Sequence, residues 1–320
     1  MKRIFLFFIL LLMLTFKMDG DVISPASLHE GDKIAILSPA GIVKQEFVDS
    51  AAETLRKFGF EPVVYPTVEL KDGQFSGTKS ERFKDLKSAF EDTEIRAILC
   101  TRGGYGAVHI LDSLSVLPIG KDPKWVIGYS DISALHALMA SKNIQSIHSS
   151  MARVLAEGEE NEENIKLIDI LRGKPLEYFI ESHPYNHSGV AKGKLLGGNL
   201  SVIQALINTP FDIIKPQTIL FIEDVNEPIY KIERILYQLK LSGVLENLKG
   251  LIIGQFTKYE PNENYETMED MINDLLKGYP ELPVAFDFPI GHFSGNIPVI
   301  ESAEVELNVA PEGVSLKFTK

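Results

Sequence analysis

Cysteine is almost missing from this 320-residue chain. Cys100 stands alone, so no intramolecular disulfide can form, and disulfide scaffolds and four-cysteine zinc sites are excluded. Tryptophan is as scarce, with Trp125 the single example. Runs of Lys and Arg are absent, and 44 Asp and Glu outweigh 32 Lys and Arg to give a formal net charge of −12. Such a chain repels nucleic acid and anionic lipid unless it carries a local basic patch, and none is visible. The seven histidines lack metal-ligand spacing: His183 and His187 are four apart, but Pro184 between them argues against a shared helix face. Neither a metal nor a cofactor is expected. Long apolar runs are missing too, apart from one near the N-terminus, which excludes a polytopic membrane protein.

That run begins after Lys2 and Arg3 and extends unbroken from Ile4 to Leu14, then through Thr15 to Phe16. A positive start before a short apolar core is the layout of a secretory signal. The run falls short of the roughly 20 residues that span a bilayer as a helix. Residues 1–20 are read as a signal peptide or N-terminal anchor, with the mature chain starting near Gly20. A buried N-terminal helix or strand is the alternative. The protein is therefore expected to be exported, periplasmic or membrane-associated, with a cytoplasmic location as the other option.

The chain as a whole is 45% apolar and 24% charged, the composition of a globular protein. From Lys33 onward strands and helices alternate. Lys33–Leu37, Pro62–Tyr65, Ala97–Cys100 and Trp125–Ile127 read as strands. Val43–Phe58, Ser80–Phe90, Ala107–Leu114 and Ile132–Ala140 read as helices. This alternation predicts a mostly parallel sheet covered on both faces, with ligands at the C-terminal ends of its strands. The acidic stretch Glu157–Asn164 resists packing, so 157–188 is read as a linker with one short helix, Ile165–Leu171. A second unit spans 189–320. It has strands at Thr218–Ile222, Gly250–Ile253 and Val284–Phe286, a helix over Pro228–Leu241, and a C-terminal hairpin at Ala303–Asn308 and Gly313–Thr319. The domains are thus 21–156 and 189–320.

Three segments offer chemistry. Ile127-Gly128-Tyr129-Ser130-Asp131 runs from a strand through a glycine to a serine at a helix start, like a nucleophile elbow without its second glycine. Such a turn would expose the Ser130 hydroxyl and aim the Asp131 amide at the same point, where it could bind an oxyanion. Equally, Ser130 or Asp131 could be a plain N-cap. Ile222-Glu223-Asp224 puts two carboxylates at a strand end, either to orient a catalytic base or to sit as loop or cap residues. Gly291-His292 lies on a glycine-framed loop, as a base for a serine or as a solvated histidine. The turn Arg102-Gly103-Gly104-Tyr105-Gly106 carries only part of a dinucleotide fingerprint and better suits a backbone oxyanion donor.

Taken together, the segments resemble one family. Gly-Asp-Lys-Ile-Ala-Ile-Leu-Ser-Pro-Ala-Gly at 31–41, Thr-Arg-Gly-Gly-Tyr-Gly-Ala at 101–107 and Ile-Gly-Tyr-Ser-Asp at 127–131 are similar to motifs of the LD-carboxypeptidases. So are Leu-Leu-Gly-Gly-Asn-Leu at 195–200, Ile-Glu-Asp-Val at 222–225 and Gly-His at 291–292. These are serine peptidases that trim the muramyl tetrapeptide of peptidoglycan. The resemblance implies a flavodoxin-like N-terminal α/β domain, a smaller C-terminal mixed α/β domain, and frequent homodimers. It implies Ser130 as nucleophile, His292 as base and Glu223 as orienting acid, with the amides of Asp131 and of Gly103 or Gly104 as oxyanion donors. The terminal carboxylate of the substrate needs a cation or amide donors. Arg102 is the candidate, with a turn-stabilising arginine as the alternative. Microcin-resistance-like peptidases, which cleave aminoacyl-nucleotide antibiotics, share the pattern but should add aromatic residues that stack on the base. Trp125 sits on a core strand and does not fit that use. A non-enzymatic, exported two-lobed binding protein is the reading from another class.

Overall fold

The computed structural model describes residues 21–319; the proposed signal segment 1–20 lies outside them. Five strands, β1 (Lys33–Leu37), β2 (Glu61–Val64), β3 (Ile95–Cys100), β4 (Trp125–Gly128) and β5 (Ser146–His148), pair in parallel in the order β2-β1-β3-β4-β5. Buried on both faces, β1, β3 and β4 read as continuous apolar runs rather than alternating ones. Crossover helices cover the sheet. Helix Gln45–Lys57 turns Val48, Ala51, Ala52 and Leu55 inward and ends at Gly59, whose φ of +89° suits the left-handed cap. Helix Lys79–Glu91 begins in a capping box between Thr78 and Glu81.

The second sheet is built from β6 (Glu177–Ile180), β7 (Gly189–Asn199), β8 (Ile219–Val225), β9 (Gly250–Thr257) and β10 (Val284–Ala285), followed after β11 (Val299–Glu301) by β12 (Glu304–Ala310) and β13 (Gly313–Thr319). Its order is β10-β9-β8-β7-β12-β13-β6. The long β7 pairs in parallel with β8 through 195–199 and antiparallel with β12 through 189–194, which makes the sheet mixed. The mixed two-unit α/β architecture matches the fold expected from the sequence.

Three elements differ from that reading. The stretch 157–188, expected as a linker with one short helix, holds a longer helix and a strand, each packed into a sheet's core or edge. Helix Glu162–Leu171 buries Leu167, Ile168 and Leu171 against the first sheet's core, and β6 is an edge strand of the second sheet, paired with β13. An apolar stripe outweighs the charges of the helix's first turn, and those acidic residues sit where a helix N-terminus favours them. Second, β11 leaves the C-terminal unit and pairs antiparallel with β5, so the first sheet is completed by residues far along the chain. Third, the expected helix 107–114 is a 3-10 turn, Ala107–Ile110, followed by a short helix, Leu111–Ser115.

Helix Ser133–Ser141 lies between the sheets. Every residue from Ser133 to Met139 is buried, as expected of a helix enclosed on all sides. Its one basic group, His136, is fully buried; Nε2 donates to the Gly128 carbonyl and Nδ1 accepts from the Ser146 hydroxyl, both at 2.8 Å. These bonds fix the neutral tautomer and brace the strand end just ahead of Ser130. Burial pushes the imidazole down to about 4. Burial likewise holds His148 well below the ordinary histidine range, aided by the neighbouring His136 and His292.

Because the unfolded chain takes up protons near pH 6.5 and the folded His136 does not, its contribution is complete above pH 6.5. It fades as the pH falls toward 4, by about 3 kcal/mol for this group. Denaturant unfolding should show stability falling over that interval, and His136→Gln should flatten the slope. An unchanged slope in the variant would assign the acid sensitivity elsewhere.

Candidate active site

β4 delivers Gly128 to the seam between the sheets, and the chain turns sharply at Ser130, whose φ is +66°. A non-glycine residue in that region is strained, and such strain concentrates at functional turns. The turn presents the hydroxyl rather than burying it as a cap: Tyr129, the residue at the cap position, makes no side-chain cap bond, and Ser130 Oγ lies 2.9 Å from His292 Nε2.

His292 Nδ1 donates to Glu223 Oε2 at 2.6 Å. With that hydrogen on Nδ1, Nε2 is free to accept from the Ser130 hydroxyl. Glu223 is fully buried on β8. Its partner strand β9 holds an extra residue opposite it, so Ile222 pairs with Ile253 but Asp224 with Phe256. A bulge of this kind re-aims side chains. Burial raises the Glu223 carboxyl above its ordinary range, against the opposing pull of His292 and Asn199.

His292 rides on the loop after β10. Gly291 has a φ of +135°, and a Cβ there would meet Glu223 Oε2 at 3.1 Å. Only glycine lets the backbone pass the carboxylate and swing His292 over it. Asn296 Oδ1 accepts from the Gly291 amide at 2.9 Å, and Thr257 Oγ1 donates to the His292 carbonyl at 3.2 Å. The Tyr129 ring flanks the imidazole, with centroids 4.8 Å apart.

The turn at 102–106 closes on the same point. A Cβ on Gly103 would lie 2.8 Å from Ser130 Cβ and 3.0 Å from both Ser130 Oγ and the Asp131 nitrogen. The Gly103 carbonyl accepts from the Gly41 amide at 2.9 Å, which in a trans peptide turns the Gly104 N–H to the opposite side. Asp131 Oδ2 accepts from the Ala107 amide at 2.9 Å, tying the elbow to this turn; burial raises that carboxyl. Among the described residues, no protein acceptor takes the Asp131, Gly103 or Gly104 amide.

Arg102 is exposed, and its Nη1 donates to the Ile42 carbonyl at 2.6 Å. It lines a cavity of 330 Å³ together with Lys44, Phe47, Tyr129, Met151 and Arg153. Three cations at one mouth stand out on a chain of net charge −12. Asp224 plays the structural part: Asn199 Nδ2, the Ser201 amide and the Val225 amide all donate to it. Trp125 is a buried strand residue whose Nε1 donates to the Ala26 carbonyl, so it offers no ring to a nucleobase. Among the described residues, no three metal-ligating side chains converge.

Two supporting residues gave no linear signal. Arg82 is buried, and its Nη1 donates to the Pro39 and Gly106 carbonyls, fastening the 102–106 turn. Ser133 Oγ accepts from the Asn199 amide across the seam at 3.0 Å. Both act through backbone groups that lie distant in sequence.

A serine, a histidine and a buried carboxylate in hydrogen-bonded series define the layout of a serine hydrolase. Residues 34–149 match the LD-carboxypeptidase N-terminal domain and residues 192–307 the LD-carboxypeptidase C-terminal domain. The chain is 31% identical over 303 residues to the probable murein peptide carboxypeptidase of Bacillus subtilis, covering 89% of this chain and 92% of that one. It is 29% identical over 275 residues to the murein tetrapeptide carboxypeptidase of Pseudomonas aeruginosa, covering 82% and 89%. Its fold is shared with the crystal structure of muramoyltetrapeptide carboxypeptidase from Oxalobacter formigenes, at a TM-score of 0.82 and 23% identity over 90% of this chain and 99% of the other. The chain belongs to the LD-carboxypeptidase family.

Gly103→Ala should fold and lose activity, because the added methyl occupies the approach to Ser130 Oγ. A shift of about 1 Å at reacting atoms costs roughly 100-fold. Turnover measured beside a thermal melt checks this; near-normal turnover would show that Gly103 does not border the reacting centre.

Proposed function

We propose that the protein is a serine LD-carboxypeptidase that releases terminal D-alanine from muramyl tetrapeptides of peptidoglycan, in wall turnover or recycling. The observation that carries this reading is the continuous Ser130–His292–Glu223 hydrogen-bond chain in a member of that family.

Ser130 Oγ attacks the carbonyl that joins the diamino acid to D-alanine while His292 Nε2 takes its proton. Glu223 keeps the imidazole in the Nδ1–H tautomer and stabilises the imidazolium. The tetrahedral oxyanion lies against the Asp131 amide and a second amide from the 103–104 turn. Loss of one such donor costs about 2.7–4 kcal/mol. His292 then gives its proton to the leaving amine of D-alanine. Water, activated by the same histidine, attacks the acyl-enzyme and frees the tripeptide product and Ser130. The free carboxylate of D-alanine is received at the cationic mouth, where Arg102 is the nearest cation in sequence to Gly103.

The Lys2-Arg3 start and the apolar run Ile4–Phe16 support an exported enzyme that meets its substrate at the wall or as periplasmic fragments. A homodimer belongs to the same reading and rests on the family resemblance.

Ser130→Ala should abolish release of alanine from purified muramyl tetrapeptide, followed by mass spectrometry, with His292→Ala nearly as inactive and both proteins folded. Cleavage near the wild-type rate by Ser130→Ala would remove the serine mechanism. Arg102→Ala should raise KM for the tetrapeptide roughly tenfold, the value of one charge-assisted hydrogen bond. It should change KM little for a substrate ending in D-alaninamide. Equal effects on both substrates would mean that Arg102 serves the turn and not the carboxylate.

A further inference from the structure

Glu163 belongs to the acidic stretch 157–164, yet it is only 8% exposed. It stands in the first turn of helix Glu162–Leu171, which is anchored on the first sheet's core. Two donors converge on its carboxylate. The Ser150 hydroxyl donates to Oε2, and the Gly295 amide donates to Oε1 at 2.7 Å. Ser150 follows β5, two residues past His148. Gly295 lies three residues past His292, on the loop that carries the base.

The other side-chain holds on that loop come from the C-terminal half: Asn296 on the Gly291 amide, Thr257 on the His292 carbonyl and Glu223 on the imidazole. Among the described residues, two side chains from elements packed with the first sheet bond to the loop 291–296: Ser130, through the reacting contact itself, and Glu163. The loop 291–296 thus has, among the described residues, one side-chain hydrogen bond to the nucleophile-bearing unit that is not part of the chemistry. We propose that Glu163 is a positioning residue, which sets the distance from His292 to Ser130 by holding Gly295 to the nucleophile-bearing half.

The inference rests on the proposed triad, and the test separates the two. Labelling of Ser130 by a fluorophosphonate reads the assembled nucleophile without any wall peptide. Three substitutions distinguish position from charge. Glu163→Ala removes both bonds. Glu163→Gln keeps the reach and the geometry, with its oxygen on Gly295 and its amide donating to Ser150. Glu163→Asp keeps the charge but withdraws it by one methylene. Positioning predicts labelling roughly 10- to 100-fold slower for Glu163→Ala and Glu163→Asp, and within about threefold of wild type for Glu163→Gln. On tetrapeptide, kcat should fall with KM little changed. Circular dichroism and melting verify the fold, and should Glu163→Ala fail to fold, the Gln and Asp pair decides.

Labelling at the wild-type rate by folded Glu163→Ala would overturn the proposal. So would rescue by Asp and not by Gln, which would make Glu163 an electrostatic group. A wild-type protein that takes no label would fail the triad, and this inference with it.

Discussion

The proposed chemistry hangs on a contact between two sheets. Ser130 is delivered by the first, Glu223 by the second and His292 by the loop that leaves β10 of the second, so the 2.9 Å bond between hydroxyl and imidazole is an inter-sheet distance. A buried helix, Ser133–Ser141, fills the seam, and close packing keeps such an interior from yielding gradually. Ser133 joins that helix to Asn199, the residue in register with Glu223 on the neighbouring strand. The nucleophile's helix and the acid's strand are therefore fixed to each other before any substrate arrives, and β11 stitches the C-terminal segment to β5 on the other flank.

Within that frame the electrostatics have a definite order. Glu223 is fully enclosed, so ionising it costs solvation, and burial accordingly raises its carboxyl. The Nδ1–H of His292 is the partner that repays much of this cost. The demand runs both ways: the carboxylate needs the imidazole's hydrogen, and satisfying it leaves Nε2 with the lone pair that the serine proton requires. His148, packed against Tyr129 and kept neutral by burial, adds no positive charge beneath the site that would compete for this carboxylate.

Much of this was legible in the sequence, for reasons that can be named. Strands buried on both faces announce themselves as apolar runs, so β1, β3, β4 and β8 were readable, and so was helix Gln45–Lys57 from its period. The triad segments were visible as a glycine-led turn before Ser130, a strand end at Glu223 and a glycine-framed loop at His292, each with a plainer alternative, and the resemblance to the LD-carboxypeptidases is what joined them into a triad. β11 and β5, with three residues each, are too short to hold a period, and β6 alternates too weakly to separate from its loop. The acidic stretch misled for a physical reason. Charge density forecasts solvation when partners are unknown, but Glu163 finds its donors in Ser150 and Gly295, more than ten residues away on either side. Arg82 was hidden likewise, since carbonyl groups leave no mark in a sequence.

The backbone strain at Ser130 explains why so many hydrogen bonds crowd around one short turn. A left-handed serine costs on the order of 1–3 kcal/mol and persists only where its surroundings over-determine it. Here the elbow is held from three directions. His136 grips the Gly128 carbonyl on the incoming strand. Asp131 receives the Ala107 amide on the outgoing side. From across the site, Gly103 presses its bare Cα against Ser130, in a turn that Gly41 and Arg82 fasten to the first strand's loop. Each hold uses a residue whose own alternatives are closed by burial. The free amides beside Ser130 are the counterpart of that rigidity. Donors left without a protein partner are costly in an ordinary core, but in the proposed mechanism they are the groups already oriented for the charge that forms on the substrate oxygen, with no reorganisation left to make when it appears.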